Sequence, residues 1–184
     1  MKTTIKTLAI LATAAVFISC DDDDPVQVNE EEVITTVELE LTNTADTGNV
    51  VTFLSVDNDG DGPNEPVNTV NGTFMANATY SGTVKFLNEL ETPAENITEE
   101  VEEEGDEHEV FYVTSITDLS VSKDDNDLNG NPLGLMTTFQ TGNTGSGALT
   151  IVLRHEPMKP NNGTLANAGG ETDVEVTFEN VTVQ

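Results

Sequence analysis

Two aspartate-rich segments have the composition of loops that bind a hard cation. In the first, Asp57, Asp59 and Asp61 place carboxylates at positions one, three and five, and Gly62 follows at position six. A calcium-binding loop uses this spacing to arrange its side-chain oxygens around the ion. Glu65, at position nine, offers a further oxygen. The sequence therefore predicts a calcium site formed by these four acidic residues.

A weaker copy of the pattern consists of Asp125, Asp127 and Asn129. Neither loop is an EF-hand, because the first has Asn68 at position twelve, where an EF-hand has a bidentate Glu. The alternative is that both are hairpin turns, since Asp, Asn and Gly also stabilise tight turns. A bound calcium ion would stabilise the fold and would have no catalytic role.

The chain has two histidines, His108 and His155, and both have carboxylates beside them in the sequence. If the fold brought the two imidazoles together, they and the acids would form a site for zinc or copper. The alternative is that each histidine is a hydrogen-bonded residue at the edge of a strand. Apart from these candidate ions, the sequence indicates no cofactor.

Catalytic motifs are missing from the sequence. It contains no G-x-S-x-G elbow, no H-E-x-x-H pair and no glycine-rich phosphate loop. We therefore predict that the chain is not an enzyme and has no catalytic residues. The alternative is a surface hydrolase that uses carboxylate chemistry.

Cys20 is the only cysteine, and it ends a segment with the features of an export signal. Lys2 and Lys6 precede an apolar run that is too short to span a bilayer as a mature helix. The segment resembles a bacterial lipobox, which implies cleavage after residue 19 and acylation of Cys20. The alternative is an ordinary signal peptide with an incidental cysteine. We expect 1–19 to be a lipoprotein signal peptide and 20–32 an acidic tether.

The charge of the chain limits its partners. It has 34 acidic and 6 basic residues, a formal net charge of −28, which excludes nucleic acid by repulsion. Contact with the membrane would come through the lipid anchor, and the ligand or protein partner is not identified by the sequence. The acidic run 21–24 resembles the surface-export signal of Bacteroidota lipoproteins, which implies the outer membrane and the cell surface; the alternative is a periplasm-facing lipoprotein.

The elements that must position these residues are mostly strands. Val37, Leu39 and Leu41 alternate with glutamates, and 174–179 alternates in the same way. Further strands are predicted at 50–56, 73–76, 79–87, 110–116, 119–123, 135–141 and 148–155. Thr92 is predicted to cap a single helix that Gly105 ends, and 167–173 to be a flexible glycine turn without chemistry. We predict one all-β domain over 33–184, an antiparallel β-sandwich of eight or nine strands, Ig-like or Greek key, with one short helix. A closed β-barrel is the alternative.

A family resemblance supports the predicted location. The segments 29–36, 59–64, 153–157 and 167–173 resemble those of small flavobacterial surface lipoproteins, a family without an assigned activity. Some of its members are named "type 1 periplasmic binding fold superfamily", but one helix signal does not fit the two-lobed α/β fold that this name denotes. We expect a membrane-anchored, exported, non-catalytic binding or structural module. The alternatives are the hydrolase and a ligand-binding component of an uptake system.

Overall fold

This computed structural model describes residues 32–60 and 62–184, which contain nine strands and two short helices. Cys20, the predicted leader and tether up to residue 31, and Asp61 lie outside the described residues. The strands are β1 Thr36–Asn43, β2 Val50–Val56, β3 Val67–Asn71, β4 Thr79–Leu87, β5 His108–Thr114, β6 Ser120–Lys123, β7 Met136–Gln140, β8 Gly145–His155 and β9 Glu171–Val183, and the helices are α1 Ile97–Glu103 and α2 Leu165–Ala168.

The larger sheet has six antiparallel strands in the order β3-β2-β1-β4-β7-β6. Its first four strands form a Greek key, because three hairpin-connected strands are followed by a fourth that lies beside the first. In β1, Val37, Leu39 and Leu41 are buried, as the alternating sequence predicts. Their burial fixes the register, because a slip of one residue would expose all three side chains.

The smaller sheet has three antiparallel strands in the order β5-β8-β9. Aromatic side chains of the two sheets meet between them, and the Phe53 and Phe178 rings contact edge to face at a centroid distance of 5.2 Å. Tyr112 of the smaller sheet contacts Phe139 of the larger one in the same way, at 5.6 Å. The predicted all-β sandwich is confirmed, whereas the barrel alternative is wrong because neither sheet closes on itself.

Several local predictions are wrong. The segment 73–76 is not a strand but makes a single bridge from Phe74 to Val183, and β3 was not predicted. Helix α1 begins at Ile97 after Asn96, and not at a capping Thr92. It is positioned by Ile97 and Val101, which are buried, so tertiary packing determines its start. The described residues contain a second helix, α2, and β9 already includes the end of the predicted glycine turn.

Candidate metal centre

The two histidines face each other across the smaller sheet. His108 opens β5 and His155 closes β8, and the antiparallel register pairs them directly. Their ring centroids are 4.7 Å apart with an angle of 33° between the planes. Directly opposed residues of an antiparallel pair are close enough for their side chains to share a ligand. The fold thus brings together the two residues that the sequence left as separate candidates.

A β-bulge brings Asp173 to the same place. Leu153 pairs with Val174, but the next residue of β8, Arg154, pairs with Thr172, so Asp173 is the extra residue of β9. Bulges redirect side chains and are frequent beside functional sites. One oxygen of Asp173, Oδ1, lies 3.9 Å from Nδ1 of His155.

Glu32 completes the cluster from the segment that precedes β1. Its Oε1 lies 3.2 Å from Nε2 of His108. The side chains are almost fully buried: 0% of His108, 7% of His155, 5% of Asp173 and 9% of Glu32 is exposed. We refer to these four residues as the buried cluster. A group of ionisable side chains removed from water is costly unless a proton or a metal ion bridges them.

Hydrogen bonding orients the His108 ring. Its Nδ1 lies 3.2 Å from the backbone carbonyl of Glu104, an acceptor, so Nδ1 carries a proton, while Nε2 faces the Glu32 carboxylate. This arrangement is typical of metal-ligating histidines, whose second nitrogen donates to a carbonyl or carboxylate. Among the described residues, Oε2 of Glu32 and Oδ2 of Asp173 are buried without a hydrogen-bond partner, and Nε2 of His108 contacts Oε1 of Glu32. Such oxygens and nitrogens are atoms that ligate metals.

The electrostatics of the cluster favour bound cations. Burial raises the pKa of Asp173 to about 6, and the neighbouring Glu32 contributes in the same direction. Burial lowers the pKa of His108, but the Glu32 carboxylate and the Glu104 carbonyl outweigh it, so the net pKa is above the usual value. Without a metal ion, the cluster therefore retains protons that water-exposed groups would release.

Among residues 32–60 and 62–184, three overlapping sets of side chains have ligand atoms within 4.8 Å of one another. The central set is His108, His155 and Asp173; the second is Glu32, Glu104 and His108; the third is Glu107, His155 and Glu156. Each histidine thus belongs to the central set and to one flanking set. The two imidazoles and one carboxylate of the central set are donors that zinc and copper accept, and Glu32 adjoins them through His108.

The first aspartate-rich loop is a tight turn in its described part. Asp57 accepts a hydrogen bond from the Asp59 amide at 3.2 Å, and Asp59 Oδ2 accepts one from Asn64 at 2.6 Å. Oδ1 of Asp59 is buried without a hydrogen-bond partner, while Glu65 is exposed. Because Asp61 lies outside the described residues, the calcium site remains a prediction.

The second loop uses its carboxylates to hold the chain together. Asp125 accepts two backbone amides at 2.7 and 2.9 Å. One oxygen of Asp127 accepts the amides of Asn129 and Asn131, and the other lies 3.4 Å from Nζ of Lys159. The Lys159 ammonium therefore balances the charge of Asp127 without an ion. Calcium at this loop also remains a prediction, and the geometry does not require it.

The apolar cleft of about 730 Å³ beside β5 is separate from these groups. It is lined by Phe111, Val113, Arg154 and Leu165, among others. A hydrolase would be expected to place carboxyls of raised pKa in such a cleft. The two described carboxyls of raised pKa, Asp173 and Glu100, do not line it.

Sequence reasoning identified the histidines and missed the acids that join them. Glu32 was assigned to the tether, and Asp173 to a glycine turn without chemistry. Within the described ranges, no helix has the length and apolar character needed to cross a membrane. Comparisons with protein-family models, curated proteins and solved structures give no match.

Proposed function

We propose that the chain is an exported, lipid-anchored, non-catalytic module that binds one divalent transition-metal ion, zinc or copper, in the buried cluster. The observation that carries the proposal is that, among the described residues, ligand atoms of Glu32 and Asp173 are buried beside the two histidines and have no hydrogen-bond partner. Buried polar atoms in native proteins nearly always have partners, so these atoms call for one. A metal ion would be that common partner.

The ligand set supports a binding role over catalysis. Structural zinc sites have four protein ligands, whereas catalytic sites keep one position open for water or substrate. The buried cluster offers four side chains that are each more than nine-tenths buried: His108, His155 and Asp173 have ligand atoms within 4.8 Å of one another, and Glu32, beside His108, would be the fourth ligand. Such an ion would join β5, β8, β9 and the segment before β1. Its binding free energy would then add to the stability of the domain.

Calorimetric titration of the metal-stripped protein with zinc and copper tests the proposal. We expect one ion per chain, with release of protons near pH 6, because Asp173 and His108 must lose theirs to bind it. His108→Gln and His155→Gln should abolish binding, and Glu175→Gln is the control because Glu175 is exposed on β9. Circular dichroism would verify that each variant folds. Unchanged binding in both histidine variants, or none in the wild type, would contradict the proposal.

A further inference from the structure

We propose that Glu107, Glu156 and the outward nitrogen of His155 form a capture site that loads the buried cluster with its metal ion. This inference rests on the proposed function. It identifies the route by which a site with buried ligands exchanges its ion with solvent.

The His155 ring lies between an exposed and a buried carboxylate. Its Nε2 is 3.8 Å from Oε2 of Glu107, and its Nδ1 is 3.9 Å from Oδ1 of Asp173. The Glu107 side chain is 55% exposed, whereas that of Asp173 is 5% exposed. The two nitrogens of one imidazole therefore face solvent-side and interior ligands. An ion bound by Glu107 and Nε2 of His155 would be separated from the Asp173 side of the ring only by the width of the imidazole.

The backbone holds Glu156 beside this ring. Its amide donates a hydrogen bond to the carbonyl of Glu107 at 2.6 Å. Glu156 also has a φ of +46°, a left-handed conformation that is unfavourable for a residue with a side chain. Such strain persists where the surrounding structure enforces it. In this arrangement Glu107, His155 and Glu156 have ligand atoms within 4.8 Å of one another.

The opposite end of the cluster is less open. There, Glu32 lies against Nε2 of His108 with only 9% of its side chain exposed. The other nitrogen of His108 is engaged by the carbonyl of Glu104. Entry at that end would require Glu32 to leave, whereas Glu107 and Glu156 are already exposed. The strongly acidic chain also raises the local concentration of cations at exposed carboxylates.

A loading site has a kinetic signature that differs from that of a permanent ligand. It lowers the barrier between free and bound ion without changing the two end states, so it accelerates association and dissociation by the same factor. Removing it should slow both rates and leave Kd nearly unchanged. Removing a permanent ligand should instead weaken Kd, chiefly through faster dissociation.

Stopped-flow mixing of the metal-stripped, detergent-solubilised protein with cobalt(II) measures both rates, with absorbance as the signal and a chelator for dissociation. For Glu107→Gln combined with Glu156→Gln we expect both rates to fall about tenfold, because the ion loses intermediate ligands that it would use in both directions; about tenfold is the low end of what local charges contribute to a rate. The matched control is Glu102→Gln combined with Glu103→Gln, which removes the same charge from exposed positions of α1. That control should leave both rates within about twofold of the wild type, as expected of screened surface charges.

The outcomes separate this inference from the proposed function. An unchanged association rate in the Glu107/Glu156 variant, or an equal loss in the control, overturns the capture site while the buried cluster stands. A weaker Kd caused by faster dissociation alone also overturns it, because the two glutamates would then be ligands of the bound ion. A wild-type protein that binds neither cobalt nor zinc overturns both.

Discussion

Asp173 is a buried carboxyl group whose Oδ2 has no hydrogen-bond partner, and its position follows from one backbone irregularity. In a regular strand, Asp173 would pair with a residue of β8 and its neighbours would point to the opposite face. The bulge removes it from the ladder and frees its side chain to reach His155. A single inserted residue therefore supplies the third member of the buried cluster.

The first prediction concerns the pH dependence of the metal-free protein. Because the folded-state pKa of Asp173 is raised from 3.8 to about 6, its stabilising proton is lost as the pH rises through that range. The raised pKa of His108 acts in the same direction, since its contribution is lost as the pH rises through the folded-state value. We expect the thermal midpoint to fall above pH 6.5 through His108 and, at lower pH, between pH 3.8 and about 6 through Asp173. Asp173→Asn should flatten the fall at lower pH and stabilise the metal-free protein at pH 7.5 by on the order of 2 kcal/mol.

Differential scanning calorimetry at several pH values, with and without zinc, measures this effect. Zinc should raise the midpoint of the wild type at pH 7.5 and should lose most of its effect in Asp173→Asn. Glu175→Gln, on the same strand but exposed, should retain the wild-type pH dependence. If Asp173→Asn and the wild type had the same pH dependence, the carboxyl would not hold a proton in the folded state.

The members of the site could be predicted from the sequence only in part. Histidines are rare here and stand out beside acids, so His108 and His155 were found. With 34 acidic residues in the chain, no local feature distinguishes Asp173 or Glu32 from the rest. Their roles depend on a bulge and on a contact between residues 32 and 108, which are far apart in sequence.

At the scale of elements, the alternation of apolar and polar residues predicted strands well where one face of the strand is buried. The bounds of β2 and β4 agree with those predicted, and every second residue of each strand is buried. Strand β3 was missed because all but one of its residues are exposed, so its sequence carries no alternation. Its place at the edge of the sheet comes from pairing with β2, which is a tertiary contact.

The second prediction concerns Gly170, which allows the ends of β8 and β9 to lie close together. It has a φ of +69°, and a Cβ atom there would lie 2.2 Å from the carbonyl oxygen of His155. Gly170→Ala should therefore push apart the strands that supply His155 and Asp173. We expect a loss of more than about 2 kcal/mol in unfolding free energy and at least a tenfold weaker zinc affinity.

Gly163→Ala is the matched control for this change. Its φ of +78° is also left-handed, but a Cβ there meets no atom within 4 Å. The control should cost about 1 kcal/mol, the usual conformational penalty, and should leave zinc affinity unchanged. Urea unfolding and zinc titration of both variants make the comparison, and equal effects would show that the close approach at Gly170 does not position the site.

At the scale of the whole molecule, the net charge of −28 favours cationic partners over anionic ones. Anionic lipid head groups and nucleic acid are repelled, while metal cations and basic proteins are attracted. The buried cluster and its exposed glutamates are consistent with this preference. The proposed contact with a membrane therefore depends on the proposed acyl chains of Cys20, since the acidic protein surface would oppose it.

The third prediction tests that anchor through Cys20→Ser expressed in a Gram-negative host. Two or three acyl chains on the residue would hold the protein stably, because each buried CH₂ contributes about 0.8 kcal/mol. We expect the wild type to fractionate with membranes and to carry an N-terminal mass increase, and the variant to lose both. A matched Ser19→Ala change, one residue earlier, should still be acylated. Continued membrane association of Cys20→Ser in the absence of acyl chains would contradict the lipid anchor. It would mean that another contact overcomes the repulsion between the acidic protein and anionic lipid, and a basic membrane protein would be the first partner to test.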